Sequence, residues 1–393
     1  MVTPFRLLCL SRAGICMAAM AYAGALPFLQ AAWGMDGAAA GSVQAAYNFA
    51  NAVALLLASW LSDRLGAKRV YLFSIWAGVA AMALFALFAR SHGSALVLAV
   101  LVAASQGGAY TPALMLVAEM EPPARRGGAI GGVLAAASFG YVLSISAALG
   151  GAALLDYRWG FALCAVGPVA GAAAGSLALR RHPNTVHPRQ DGAGDGLWRI
   201  MVTPVSLALL AGYTAHCWEL LGTWAWAPAF LAHALAGLAL GAVPTGLVVA
   251  CAVHLSGMAA NLMAGAASDR WGRPVVLLGI ALAGALCSFA LGWSAEWGPW
   301  AALMLACLAS FFVLADSGVL SAAMTEAVPS RHLGTALALR SILGFSAGSL
   351  APVVFGATLD STGQWGWAFM TLGVGGALAA VAAAGLVRRS ARA

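Results

Sequence analysis

The stretch Ser62-Asp63-Arg64-Leu65-Gly66 returns later in the chain as Ser268-Asp269-Arg270-Trp271-Gly272, at an offset of 206 positions. Further cations follow each copy within a few residues. Two other landmarks repeat at the same offset, namely Pro123-x-Arg125-x-x-Gly128 with Pro329-x-Arg331-x-x-Gly334, and Trp159-Gly160 with Trp365-Gly366. Three landmarks in constant register predict a duplicated half of about 200 residues.

The composition points to a membrane environment. Of 393 residues, 62% are hydrophobic and 8% are charged, whereas an average soluble domain is about 25% charged. A soluble fold of this size cannot bury so much apolar surface, so we expect lipid to be the solvent for most of it. The seven cysteines lie in apolar segments without a CxxC spacing, which argues against a disulfide framework or a structural zinc site.

Apolar runs of the roughly 20 residues that a span requires recur along the whole chain. We predict an all-α membrane protein with twelve transmembrane helices in two pseudo-symmetric bundles of six. The first bundle is expected at residues 1–179 and the second at 203–393, with a polar cytoplasmic linker at 180–202. The spans are predicted near 10–31, 42–62, 69–89, 95–118, 128–151, 157–179, 203–231, 239–266, 274–293, 298–324, 334–358 and 366–387.

The placement of the cations predicts the orientation. Nearly all loop cations follow the even-numbered spans, whereas the opposite loops hold only Arg90 and Arg158. By the positive-inside rule, both termini and the linker face the cytoplasm, as in a protein of the cell (inner) membrane. Arg6 and Arg12 precede an apolar run long enough to span, so we interpret the N-terminus as a retained first helix and not as a cleaved signal peptide.

The repeated Ser-Asp-Arg-x-Gly phrase, between spans 2 and 3 and again between spans 8 and 9, resembles the signature loop of the major facilitator superfamily. The resemblance covers essentially the whole chain, since Glu119–Gly127 after span 4 and Tyr157–Phe161 at the start of span 6 are similar to family patterns. It implies a transporter whose two halves alternate in access. The loop residues for which it implies a role as conformational latches are Asp63, Arg64, Gly66, Asp269, Arg270, Gly272 and Glu119, the last as a partner of Arg64.

Elementary physics allows the same role for these loops. An aspartate at a helix end caps the next helix or pairs with a nearby arginine, and a glycine permits a left-handed turn. The alternative is topological, with the cations merely holding the loop on the cytoplasmic side.

Ionisable residues at membrane depth are costly and usually face a cavity. Here they lie mainly in the second half, at His216, Glu219, His254, Asp316 and Arg340. Five residues of span 7 recur every three or four positions, which predicts one polar and aromatic helix face toward a cavity: Tyr213, His216, Glu219, Thr223 and Trp226. The alternatives are hydrogen bonds between helices for His216 and Glu219, and an interfacial belt position for Trp226.

Asp316 is predicted near the membrane midplane, where a carboxylate is a natural proton carrier. Arg340 is its nearest candidate counter-charge, unless it snorkels to the cytoplasm. His254 either titrates or hydrogen-bonds across the bundle. The first half offers neutral polar side chains, Asn48, Gln106 and Tyr110, which form either a binding wall or contacts between helices.

We expect a secondary active transporter that moves a small polar or anionic organic solute, coupled to H⁺. The absence of G-x-x-x-x-G-K-[ST] argues against ATP hydrolysis, and no clustered nucleophile or metal set suggests an enzyme. No cofactor, resident metal or nucleic-acid partner is expected, and the protein is predicted to be a monomer in contact with membrane lipid.

Three alternatives remain open. A drug/proton antiporter is one, although Ser146-Ala147 stand where such antiporters carry Gly-Pro. An importer of copper or another metal is the second, suggested by His254-x-x-x-Met258. A non-transporting membrane sensor is the third, although the short loops leave no room for a soluble signalling domain.

Overall fold

The computed structural model describes residues 3–121, 123–186, 200–328 and 330–390, and within these ranges the regular structure is entirely helical. Side chains are not described at 123–128, 242–243, 261–262, 325 and 330–335. The side chains of the repeated Pro-x-Arg segments and most of the predicted linker therefore lie outside the described part of the chain. The helices are α1 Pro4–Cys16, α2 Ala21–Trp33, α3 Gly37–Leu65, α4 Ala67–Phe88, α5 His92–Met120, α6 Pro123–Leu154, α7 Tyr157–Ala178, α8 Pro204–Ala234, α9 Ala242–Trp271, α10 Arg273–Leu291, α11 Pro299–Ala327, α12 Ser330–Gly348, α13 Ala351–Thr362 and α14 Trp365–Ser390.

Eleven helices or helix pairs of this described part are long and apolar enough to cross a membrane. The helix α8 has 31 residues, which is also sufficient, but its polar side chains leave it less hydropathic than the eleven. With α8, these elements match the twelve predicted spans in order and position.

The first and the eleventh spans are each built from two helices. The break between α1 and α2 is held by Ser144, whose Oγ donates to the Met17 carbonyl at 2.6 Å and accepts from the Met20 N–H at 3.2 Å. Gln106 donates to the Ile15 carbonyl at 2.8 Å. Backbone groups freed at the break therefore find partners inside the protein, as the low dielectric of a membrane requires.

The chain folds into two compact units. Unit 1 comprises Met1–Met35, Ala46–Arg189 and Ala239–Leu255, and in it α7 packs on α1, α4 and α6. Its core is formed by apolar residues such as Leu8, Tyr71 and Leu116.

Unit 2 comprises Asp36–Ala45, Gln190–Leu238 and Ser256–Ala393. In it α14 packs on α8 and α10, which repeats the packing of α7 on α1 and α4 in unit 1. The duplication read from the sequence is thus also a duplication of helix pairing. The helix α8 lies at the centre, because it contacts α11, α12, α13 and α14 and 20 of its 31 residues are buried.

Unit 2 contains the first turn of α3, which crosses α13 closely. Asp360 of α13 accepts hydrogen bonds from the backbone N–H of Gly37 at 2.6 Å and of Ala38 at 2.9 Å. A carboxylate at a helix N-terminus satisfies orphan N–H groups and complements the helix dipole. The approach depends on glycine, because a Cβ on Gly356 would overlap the carbonyl group of Gly37.

The two copies of the repeated phrase adopt the same backbone conformation. Gly66 has φ 87° and ψ 141°, and Gly272 has φ 84° and ψ 141°. Each glycine ends one helix and begins the next, in a region of φ and ψ that is costly for any residue with a side chain. The surroundings differ: a Cβ at Gly66 would overlap the side-chain amide of Asn184, whereas a Cβ at Gly272 would meet no atom of the described residues within 4 Å.

We therefore expect Gly66→Ala to be more destabilising than Gly272→Ala. Both changes carry about 1–3 kcal/mol of backbone strain, but only the first also displaces Asn184. The measurement is the melting temperature of each purified variant in detergent, with Gly272→Ala as the matched control. Equal melting temperatures would contradict a specific contact between Asn184 and this turn.

Candidate functional site

The described residues of unit 2 bring a buried imidazole and a buried carboxylate into contact. His216 Nδ1 lies 2.7 Å from Asp316 Oδ1, and His216 Nε2 lies 2.8 Å from the hydroxyl of Ser317. The two atoms lie within ion-pair distance when the imidazole is protonated, and neither of them meets hydrogen-bond geometry in this arrangement. Asp316 stands near the middle of the 29-residue α11, and both side chains are almost inaccessible.

Arg340 of α12 lies in the same unit but does not pair with Asp316. Its guanidinium carbon is 4.0 Å from the centroid of the Tyr213 ring, and Nη1 donates to Ser321 at 3.1 Å. The side chain is 7% exposed, so it does not snorkel outward. The predicted Asp316–Arg340 pair is therefore wrong: α8 presents an imidazole to Asp316 at shorter range, and Arg340 stacks on an aromatic face.

The predicted polar face of α8 is divided among several neighbours. His216 reaches α11, whereas Glu219 accepts a hydrogen bond from Ser288 of α10 at 2.6 Å. Trp226 is fully buried, donates to the Pro352 carbonyl at 3.0 Å and stacks on Phe355. Trp226 therefore occupies neither a belt position nor a polar face, because the helices that pack on α8 bury this part of it and its side chains contact different neighbours.

In unit 1, the predicted neutral residues Asn48 and Gln106 are buried. Gln106 donates to a backbone carbonyl at the end of α1, so it has a structural role at the break in this discontinuous span. His254, from the part of α9 that belongs to unit 1, is also buried, with its ring centroid 5.1 Å from that of Tyr141.

One buried charge of unit 1 escaped the sequence analysis. Arg12, interpreted there as a flank of the first span, is 4% exposed and lies in α1 with its guanidinium 5.3 Å from the centroid of the Tyr110 ring. A usable signal was present, because Thr3-Pro4 is a helix start, with Thr3 as N-cap and Pro4 at the first position. A helix that begins at Pro4 places Arg12 about 12 Å inside, at 1.5 Å per residue.

The family model described as Major Facilitator Superfamily matches residues 8–351. This chain belongs to the major facilitator superfamily. No curated protein sequence matches it.

Solved structures of major facilitator transporters share its fold. A mutant form of the nucleoside transporter NupG superposes with a TM-score of 0.75 at 15% identity, covering 98% of this chain and 99% of that chain. A mutant form of the peptide transporter POT, in complex with sulfate, gives 0.77 at 13% identity, covering 98% and 94%. A bacterial homologue of the human lysosomal transporter Spinster, inward-facing and unoccupied, gives 0.73 at 16%, covering 97% and 95%.

Family and fold together establish the class of this protein. It is an integral membrane protein and a transporter rather than an enzyme.

The first signature loop of this superfamily member is tied to the segment after α7. Asn184 donates to the Leu65 carbonyl at 2.8 Å and accepts from the Arg69 N–H at 3.2 Å, and Lys68 donates to the His182 carbonyl at 2.6 Å. Glu119 contacts His182 Nε2 at 3.0 Å. Arg64 stacks on Trp60 at 3.9 Å, so the expected pairing of Arg64 with Glu119 is replaced by these contacts, and Asp63 is exposed.

The second signature loop is held by Arg273. Its Nη1 lies 3.3 Å from Asp269 Oδ1, and its Nε donates to Glu326 Oε1 at 2.6 Å. Arg270 lies over the Trp271 ring at 5.7 Å. Salt bridges as exposed as these contribute little stability by themselves. Weak contacts of this kind are compatible with latches that separate and re-form as a transporter changes conformation. Their role as latches stays a prediction.

Proposed function

We propose that this protein is a proton-coupled secondary transporter of a small anionic organic solute, working by alternating access, with both termini in the cytoplasm of a cell whose inner membrane it spans. The single observation that carries the proposal is the buried contact between His216 and Asp316 in the middle of unit 2.

Proton coupling follows from the chemistry of that contact. In a low-dielectric interior, a carboxylate and an imidazole 2.7 Å apart are less costly as an ion pair or as two neutral groups than either charge is alone. A small rotation of either side chain would align Nδ1 and Oδ1 for transfer of the proton between them. The Ser317 hydroxyl on Nε2 offers the ring a second partner, so the imidazole remains hydrogen-bonded in either tautomer. Protonation of the pair changes the charge of the unit by one, which is what a coupling site must do.

The anionic nature of the solute is supported by Arg340. Among the described groups, its Nε has no hydrogen-bond partner and its Nη1 donates to the neutral Ser321 hydroxyl. A guanidinium offers a rigid fork of donors that matches a carboxylate or a phosphate. The Tyr213 ring beneath it orients the fork and offsets part of the cost of burying it.

The experiment uses purified protein in liposomes loaded with a pH-sensitive dye. Malate, citrate, gluconate and glucose 6-phosphate are added outside in turn, without an initial pH gradient and with the membrane potential clamped. We expect at least one of these anions to change the internal pH in protein-containing liposomes and not in empty ones. Solute entry without any pH change would contradict proton coupling.

Arg340→Gln tests the anion-binding residue. Loss of a charge-assisted contact of about 1.5–3 kcal/mol corresponds to roughly a ten- to hundredfold higher half-saturating concentration of the active anion. Arg388→Gln is the matched control, because Arg388 is an exposed arginine in the last turn of α14. Equal half-saturation in both variants would remove Arg340 from the site.

A further inference from the structure

Arg12 is a buried cation for which unit 1 supplies no counter-charge among its described residues. Its Nη1 is inaccessible and has no hydrogen-bond partner in that part of the chain. The described ionisable side chains that act on it electrostatically are one thiol and four phenols and include no carboxylate: Cys16, Tyr47, Tyr71, Tyr110 and Tyr141. The Tyr110 ring is the one described group that stabilises the positive charge directly.

The described carboxylates of unit 1 all stand at helix ends, away from Arg12. Asp63 and Asp156 are exposed, Asp156 as the N-cap of α7. Glu119 contacts His182, and Glu121 caps the C-terminus of α5. A guanidinium buried without a counter-ion is strongly unfavourable, so a fold keeps one only where the charge is used.

The scaffold around Arg12 is built to hold its position. Ser11 is fully buried and shares a 2.7 Å hydrogen bond with Tyr71 of α4. One turn after Arg12 the helix breaks, and Gln106 and Ser144 satisfy the backbone there. Discontinuous membrane helices recur at the substrate sites of transporters, because the break presents fixed polar groups at depth. Gln106 and Tyr110 are one turn apart on α5, so one helix face serves both the break and the cation.

We propose that Arg12 is an anion-binding residue of unit 1 and takes a carboxylate or phosphate group of the transported solute. This rests on the proposed function and narrows it: a buried arginine of unit 1 with no described counter-charge favours an organic acid or a phosphate ester over a neutral polar molecule. The same chemistry is present in an anionic lipid headgroup, which the experiment separates from a soluble anion.

The experiment compares wild-type protein with Arg12→Gln and Arg6→Gln in detergent, by thermal unfolding. Arg6 is the matched control, since it is an exposed arginine on the same helix. Without added anion, we expect Arg12→Gln to melt at or above the wild-type temperature, because an uncompensated buried charge has been removed. A clearly lower melting temperature would overturn the proposal, since it would show that Arg12 holds the fold together.

The same proteins are then titrated with malate, citrate, gluconate and glucose 6-phosphate at constant ionic strength. An anion that stabilises the wild type and Arg6→Gln should bind Arg12→Gln at least about tenfold more weakly. Equal binding to all three proteins would overturn the Arg12 assignment and leave the proposed transport of anions intact. If none of the four anions stabilises the wild type, the proposal that the solute is anionic is contradicted. The melting temperatures without anion then decide separately whether Arg12 is a buried charge without a counter-charge.

A parallel arm replaces the soluble anions with short-chain phosphatidylglycerol, and with phosphatidylcholine of the same chain length as the reference. We expect phosphatidylglycerol to stabilise the wild type and Arg12→Gln equally. The contrary result is that phosphatidylglycerol stabilises the wild type but not Arg12→Gln, while the soluble anions stabilise neither. That result would assign the site to a lipid headgroup and overturn the proposal that Arg12 binds the solute.

Discussion

Asp316→Asn is expected to abolish proton-driven transport while leaving solute exchange intact. The amide has the size of the carboxylate and keeps a contact with His216, but it neither binds nor releases a proton. Under a gradient of about one pH unit, each coupled proton supports roughly a tenfold concentration ratio of solute. We expect that ratio in the wild type and none in the variant, measured with the active anion in liposomes at clamped membrane potential.

Counterflow separates coupling from general damage. Exchange of labelled for unlabelled solute at equal concentration requires binding and alternation but no net proton movement, so Asp316→Asn should exchange at about the wild-type rate. Glu296→Gln is the control, since it removes an exposed carboxylate from the same unit. Wild-type accumulation by Asp316→Asn would remove Asp316 from the coupling site.

Gly356→Leu is expected to be the most destabilising of the changes proposed. Because a Cβ at this position overlaps the Gly37 carbonyl group, a leucine must push α13 away from the first turn of α3. The two hydrogen bonds from Gly37 and Ala38 to Asp360 are then lost with the contact. We expect the free energy of unfolding to fall by about 3 kcal/mol or more, seen as a large drop in melting temperature and in the yield of monodisperse protein.

Ala357→Leu provides the control for this change. Ala357 is the next residue on α13 but is exposed, so the same added volume should alter stability by no more than about 0.5 kcal/mol. Similar melting temperatures for the two leucine variants would show that the close approach of α3 and α13 is not required by the fold.

Much of this architecture follows from the sequence, because lipid restricts the possible structures. Any apolar run of sufficient length must become a helix, and a repeated phrase must repeat its geometry, as the matching angles of Gly66 and Gly272 show. Burial of His216 and Asp316 was predictable for the same reason, because a charge inside a span is hidden from lipid. The position of Arg340 was not, since a long side chain in a span can also snorkel to the surface.

Pairing among these groups was not predictable. Periodicity predicts that His216, Glu219 and Trp226 lie near one another on α8, but it does not predict which helix packs against each of them. Asp316 therefore received the wrong partner, since Arg340 was the complementary charge by sign while His216 was the one in contact. Burial of Arg12 was not predicted, because a cation near a chain terminus is equally typical of the cytoplasmic end of a span and of a buried site.

By itself, the sequence determined the duplication, the twelve helical spans and the depth at which charge occurs, since each depends on local length and composition against a fixed membrane thickness. Only the tertiary structure decided that Asp316 meets His216, that Asp360 caps α3 and that Arg12 lies beside Tyr110 with no described carboxylate in contact. These contacts join residues from about 100 to more than 300 positions apart. They depend on how each helix is rotated about its own axis where small residues let two helices approach closely. The local sequence pattern of a single helix does not determine that rotation.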